Sequence, residues 1–370
     1  MNFKEIRELF PIVNDWLYFD AASLSPYPLP VFEALGKFEK ERMDTGSLHY
    51  DEWYEDIEKG RTLAARLTNA KESEVALTKN TSEGINLVTL LLDWEKGDNV
   101  VLSDLDFTAN IYPFLNLKNK GVDVKYVKSQ DGRILPEDVE KEIDENTKLV
   151  SLSHVLYGNG FRLNIEEIGA LCRENGAHFH VDATQSLGVV KTDVKKARVD
   201  FLSVGAYKWL LSPLGSGFIY IKEEFLDRSP ILGWLSVEDP HAFDAYNYEI
   251  LDSARRFEIG NIDVGAFLGM VAALELIDSI GVEDIEKRVV DLSSFLIEEL
   301  DNLGLEVISN FEEENRSGIV SFSDSSIKKE DLVKNRIVAT VRDYVRFSPH
   351  IYNTEDEISK ALEVIGKLRR

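Results

Sequence analysis

Apolar positions follow two rhythms between residues 54 and 221. Residues 54–67 and 85–92 carry apolar side chains at helical spacing. Between and after them lie short apolar runs closed by turn residues. These are 75–78, 99–102 behind the Lys96, Gly97, Asp98 turn, and 122–127, which Gln130, Asp131 and Gly132 break. Two more follow at 149–153 and 177–181. Runs of that length and bounding read as strands. Residues 104–117 turn helical towards their end, and 165–174 form an amphipathic helix. Residues 136–143 read as a helix with Pro136 near the first turn, where a missing N–H costs nothing. Strands that take turns with helices predict βαβ units and a mostly parallel, doubly wound α/β sheet. Such sheets bind ligands at the carboxyl ends of their strands.

After about residue 225 the texture changes. Pro230, Gly233 and Pro240 punctuate an irregular, aromatic-rich segment. Long helices are expected over 264–280 and 282–303, strands over 305–309, 318–322 and 344–347, and a closing helix over 355–368. A chain of 370 residues exceeds one typical core. The division expected is a large domain over 16–250 and a smaller α+β domain formed by 1–15 and 251–370. No internal repeat or low-complexity linker interrupts it.

Composition narrows the partners. A hydrophobic share of 44% supplies ample core. The formal net charge of −24 argues against nucleic acid and anionic membrane, because phosphate surfaces need basic patches. Cys172 is the only cysteine, so no internal disulfide can form, in keeping with a reducing cytoplasm. The first residues, MNFKEIRE, lack a signal-peptide core, and no apolar run approaches the roughly 18 residues of a membrane span. A cytoplasmic protein with no membrane partner is expected.

The candidate chemistry centres on Lys208, within FLSVGAYKWLLSPLGSGFIY over 201–220. A turn between two apolar runs presents this lysine. Burial there lowers an amine's pKa and readies it for a carbonyl, as Schiff-base chemistry requires. Upstream, an apolar run ends in Asp182. Pyridoxal phosphate enzymes pair such a lysine with an acid that keeps the pyridine nitrogen protonated. Thr81 and Ser82 open a predicted helix, whose free amides favour a phosphate, although either could simply cap it. Phe107 follows a strand end, where it could stack on a ring or fill a core. Thr81, Ser82, Asp182 and Lys208 all fall at or just past strand ends, which argues for one site.

Two competing patterns are weaker. His178, His180 and Asp182 alternate on one strand face, as metal ligands can. The chain has six histidines, and the others lie in less strand-like surroundings. A metal site would also leave Lys208 and Gln185 without a role. Gly158, Asn159 and Gly160 begin a dinucleotide fingerprint that Leu163 fails to complete.

From Tyr18 to Thr354 the chain resembles fold-type-I pyridoxal phosphate enzymes of the class V aminotransferase superfamily. That group includes cysteine desulfurases, kynureninases and isopenicillin N epimerase-like proteins. The stretches VDATQSLG over 181–188 and AYKW over 206–209 carry most of the likeness, with RFEIGN over 256–261 and VRFSPHIYNT over 345–354. The resemblance implies that Lys208 binds the cofactor aldehyde, Asp182 pairs with the pyridine nitrogen and Gln185 lies near the phenolic oxygen. It places Thr81 and Ser82 on the phosphate, Phe107 on the ring and His154 near the ring hydroxyl. Arg346 would grip the carboxylate of a small amino-acid substrate. Asn261 would reach the neighbouring subunit's phosphate, implying a homodimer.

Departures from the pattern refine these expectations. Gly205 stands where desulfurases place a phosphate-binding serine. Tyr207 stands where they place histidine, as in kynureninase, whose phenol can serve the phosphate. Residues 316–346 contain no cysteine to carry a persulfide. On that ground the sequence reading excludes a persulfide-forming desulfurase. It ranks aminotransferase first, a kynureninase-like or other lyase second and an epimerase third. A cofactor-binding scaffold without activity is the non-enzyme alternative, and the intact Lys208, Asp182, Gln185 and Arg346 argue against it.

Overall fold

The computed structural model describes residues 2–309 and 311–369. Seven strands form the main sheet, in the order Val75–Thr78, Gly217–Ile221, Phe201–Gly205, His178–Asp182, Thr147–Ser153, Asn99–Ser103 and Asp123–Val127. The last five are mutually parallel. Gly217–Ile221 runs antiparallel to both of its neighbours. The expected doubly wound α/β sheet is therefore present, with an antiparallel margin.

Alternation along the strands sorts side chains onto two faces. Val101, Val150, Val181, Leu202 and Val204 enter one core cluster with Ile168 and Met270 from helices. Val100, Leu102, Leu149, Phe201 and Ile219 enter another with Ile85, Val88 and Leu91. Strands covered on both faces read as continuous apolar runs, and the inner strands here are almost wholly buried. Asp123–Val127 lies at the edge and keeps a polar alternation.

Packing is close where the helix Ile165–Glu174 crosses the sheet. A Cβ added at Gly169 would lie 1.9 Å from the Ala197 carbonyl oxygen, so only glycine allows that approach.

A second sheet, antiparallel, orders Thr340–Val341, Val345–Phe347, Val320–Ser323 and Glu306–Val307. The helices Val282–Asn302 and Glu355–Leu368 supply Leu292, Leu296, Ile358 and Leu362 to its core. The N-terminal strand Leu17–Tyr18 pairs with Ile337–Val338, and Asp20 bridges to Ser348. Leu17–Tyr18 and Ile337–Val338 thus form a separate two-stranded sheet, and the chain beyond it reaches Gln185 through the Ala22 carbonyl.

Three details differ from the sequence reading. Residues 104–117 become helical at their end, but as short turns, Thr108–Asn110, Tyr112–Leu115 and Asn116–Lys120, in place of one continuous helix. The strand expected over 305–309 shrinks to Glu306–Val307. The helix Leu29–Thr45 gave little amphipathic signal because it buries only Val31 and Phe38. Among the described residues no single helix is long and apolar enough to cross a membrane. Val264–Ile280 and Val282–Asn302 pass that test only as a pair bent by 82°, and both are core helices.

Candidate active site

Five segments meet at the carboxyl edge of the main sheet. Asp182 ends its strand, in register with Ser153 on one side and Ser203 on the other. One carboxylate oxygen accepts the Thr184 backbone N–H at 2.9 Å. Burial raises the Asp182 carboxyl, while the Thr184 hydrogen bonds and the Lys208 charge pull it back.

Lys208 follows the strand Phe201–Gly205 by three residues. Its Nζ stands 5.8 Å from the centre of the Phe107 ring and 5.6 Å from that of Tyr207. Burial lowers its amine to about 8, with Asp182 opposing and Arg346 adding to the effect. Asp20 and Arg342 also act on that amine, with opposite signs. Phe107 is 44% exposed and meets Tyr157 edge-on, with ring centres 5.3 Å apart. Tyr207 is half-buried, and burial raises its phenol.

At the phosphate end, Asn80 rather than Thr81 or Ser82 caps the helix Thr81–Leu91, accepting from Glu83 N at 3.0 Å. That leaves the two hydroxyls free of the capping role. Thr81 Oγ1 meets Thr184 Oγ1 at 2.8 Å, which ties the helix start to the loop beyond Asp182. A Cβ at Gly205 would come within 2.9 Å of Thr81 Oγ1 and 3.0 Å of the Tyr207 ring. Glycine therefore lets Thr81 and Tyr207 both close on the strand end.

Arg346 is 3% exposed. Its guanidinium donates to Tyr157 O at 2.8 Å, Ser23 Oγ at 2.6 Å and Thr340 Oγ1 at 3.1 Å. Asp20 lies 3.6 Å away. The Nε–H has no partner among the described residues. A buried donor left unpaired is costly and fits an anionic ligand.

Three further expected residues have their own settings. Gln185 is engaged at both ends, donating to Ala22 O at 3.0 Å and accepting from Trp209 Nε1 at 2.8 Å. It bounds the site from behind. The His154 imidazole is buried, held neutral at about 3, and its described hydrogen bond goes to Thr192 at 3.4 Å. Asn261 is exposed on the loop before Val264–Ile280, apart from Lys208's described contacts.

The sequence reading missed Thr184, Ser23, Thr340, Tyr157 and Asp106. Thr184 carried a local signal, lying two residues past the strand-end carboxylate. Of the partners of Arg346, Thr340 lies six positions away on the neighbouring strand, while Ser23 is 323 positions away and carried no local signal.

The alternating histidines separate. His180 turns into a polar seam, bonding Ser151 Oγ at 2.7 Å and Ser203 Oγ at 3.0 Å. His178 groups with Asp200 and Glu224 at the far end of the strand. Lys222 already supplies a cation there, at 2.8 Å from Asp200 and 3.1 Å from Glu224. Cys172 is buried beside that same end, and burial pushes its thiol up to about 12.

The residues fit pyridoxal phosphate by the structure's own features. Gly205 lets a helix start bearing Thr81 and Ser82, neither used as its cap, come close to the strand end. A buried carboxylate and a lysine with a softened charge lie beyond it, and an unpartnered arginine N–H follows. A doubly wound sheet with this group at its carboxyl edge defines the fold-type-I pyridoxal phosphate enzymes. The aminotransferase class-V family model matches residues 17–339, and the chain belongs to that family.

Its relatives span the same length. The probable cysteine desulfurase of Methanothermobacter thermautotrophicus is 30% identical over 398 aligned residues, covering 100% of this chain and 98% of that protein. The probable cysteine desulfurase of Pyrococcus abyssi is 30% identical, covering 99% and 97%. The apo structure of cysteine desulfurase from Thermococcus onnurineus NA1 superposes with a TM-score of 0.90 at 28% identity, covering 99% and 97%.

These relatives correct one expectation. The exclusion of desulfurases rested on the missing cysteine of 316–346. Kinship over the whole chain, sheet and cofactor site outweighs the content of one segment, and that exclusion is withdrawn. The cofactor, the fold and the enzymatic class stand as read.

Proposed function

We propose that the enzyme breaks the Cβ–S bond of a cysteine-type amino acid. The observation that carries its chemistry is the buried Lys208 amine beside Phe107 and Tyr207, which burial lowers to about 8 while Asp182 opposes and Arg346 adds to the shift. The choice of a sulfur substrate rests on the relatives, which are named as cysteine desulfurases.

Pyridoxal phosphate, when bound, supplies an electron sink. The chain does the rest. Thr81, Ser82 and the free amides of Thr81–Leu91 hold the phosphate. Asp182 would pair with the pyridine nitrogen, and Phe107 would stack on the ring. Arg346 takes the substrate carboxylate through its fork and its unfilled Nε–H. That grip turns the substrate so that Lys208 can take the Cα proton and return one.

Transamination, which the sequence reading ranked first, becomes the second reading, supported by the family's description. The test is to give the cofactor-loaded enzyme L-cysteine with a thiol reductant and follow sulfide release. Parallel reactions follow amino transfer to keto acids. Sulfide release is expected to dominate. Amino transfer without sulfide would replace this reading with transamination.

We also place the enzyme in the cytoplasm as a homodimer in which Asn261 serves the neighbouring site. Sedimentation should give about twice the 41.9 kDa chain mass. A monomer with full activity would refute that arrangement.

A further inference from the structure

A buried polar chain crosses the sheet beneath the site and ends on Asp106, a residue the proposed chemistry does not use. Asp106 is 5% exposed. One carboxylate oxygen accepts Ser153 N at 2.9 Å. The other accepts Ser103 N and Asn110 Nδ2, both at 3.3 Å. The carboxylate therefore joins the carboxyl ends of two neighbouring strands, Asn99–Ser103 and Thr147–Ser153.

The donors behind it have a single direction. Ser151 Oγ donates to Asn110 Oδ1 at 2.6 Å, so it accepts from His180 Nδ1 at 2.7 Å. Burial keeps His180 neutral, which makes Nε2 the acceptor for Ser203 Oγ at 3.0 Å. Every proton in the series points towards Asp106. The series ends on Asp106 Oδ2 through Asn110 Nδ2, while Ser153 N meets Oδ1.

The next residue is Phe107. Its ring is 44% exposed, and its described neighbours are Tyr157 and the Lys208 amine. No side-chain cap fixes the short turn Thr108–Asn110 that follows. With its ring nearly half exposed, Phe107 depends for its place beside Lys208 on the backbone that Asp106 anchors next to it.

We propose that Asp106 is a positioning residue for the cofactor ring, clamping two strand ends so that Phe107 is presented over the cleft. The inference rests on the pyridoxal phosphate reading of the site. Burial raises the Asp106 carboxyl to about 7, and the Asp182 charge adds to this, so the two carboxylates sense each other. Cofactor binding at Asp182 should then alter the proton affinity of Asp106.

The test is Asp106→Asn, alone and combined with Phe107→Leu. The amide would turn a donor towards Ser103 N and Asn110 Nδ2, breaking two of the three bonds. Borohydride labelling of Lys208 and the visible circular dichroism per bound cofactor are both read. Asp106→Asn is expected to keep the label but lower the dichroism about threefold or more, with a roughly tenfold loss in kcat. In the Phe107→Leu background the same change should add almost nothing.

Unchanged dichroism, or losses that multiply in the double variant, would overturn the proposal while leaving the cofactor reading intact. Wild-type enzyme without label on Lys208 would overturn both. Should Asp106→Asn not fold, Asn110→Ala removes one donor and leaves the carboxylate. It should lower the dichroism in the same direction by less, and no change there refutes the clamp.

Discussion

Arg346 shows how much function one side chain can gather. It is buried, yet its fork meets Tyr157 O, Ser23 Oγ and Thr340 Oγ1, with Asp20 just beyond bonding range. The neutral partners hold the guanidinium in place, the Asp20 carboxylate offsets part of its charge, and the Nε–H stays open. Arg346→Ala should lower kcat/KM for the preferred amino acid by roughly 30- to 1000-fold, the loss of about 2–4 kcal/mol of charge-assisted bonding. Cofactor occupancy, read by absorbance, should stay near wild type. Arg346→Lys keeps the charge and loses the planar fork, so it should recover only part of the loss. A change under about threefold in the alanine variant at full occupancy would place the carboxylate elsewhere.

Elements set where such residues stand. The βα rhythm in the sequence located the strand ends, and with them Thr81, Asp182 and Lys208. A strand end is a local property, visible as an apolar run meeting a turn. The surroundings of Arg346 come from residues 17–23 and 340, which meet only after the second sheet forms. No local pattern announces that meeting. His154 shows the opposite limit. Its position at a strand end was legible, but the direction of its imidazole, towards Thr192, depends on packing. The absent cysteine of 316–346 was a true observation used too strongly, since one segment does not define a fold or its cofactor.

The helix Ile165–Glu174 offers a prediction at this scale. Gly169→Ala would drive a methyl to 1.9 Å from the Ala197 carbonyl. Helix and loop must separate, which should destabilise the protein by about 1–3 kcal/mol. Denaturant midpoints measure this, and the mutation should leave the affinity of Arg346 for substrate unaltered. An unchanged or raised midpoint would show that the contact yields freely.

The whole molecule combines opposed titrations. His154, His180 and His350 are buried and depressed to about 3, 3 and 4. Their folded values lie below the unfolded one near 6.5, so they favour folding above that pH and lose it as pH falls. Alone they would cost about 4 kcal/mol per pH unit around pH 5.5. Asp106 is raised to about 7 and Asp182 in the same sense. Their contribution is present at low pH and disappears as pH rises through the folded values, so on acidification it opposes the histidines. The cofactor-free protein should therefore lose stability between pH 6 and 5 at well under the ~4 kcal/mol per unit of the histidines alone. Urea unfolding across that range tests the sum. A slope of about 4 or more would mean that the two carboxylates stay ionised in the folded protein.

The central claim is that Lys208 holds the cofactor through an amine softened by burial. The direct measurement is borohydride reduction of the cofactor-loaded protein, followed by peptide mapping, with capture by the cofactor-free protein timed across pH. The account predicts reduced cofactor on Lys208 alone and a capture rate that rises with a midpoint at about 8. Label on another lysine, or a midpoint near the ordinary lysine value of about 10.4, would contradict it.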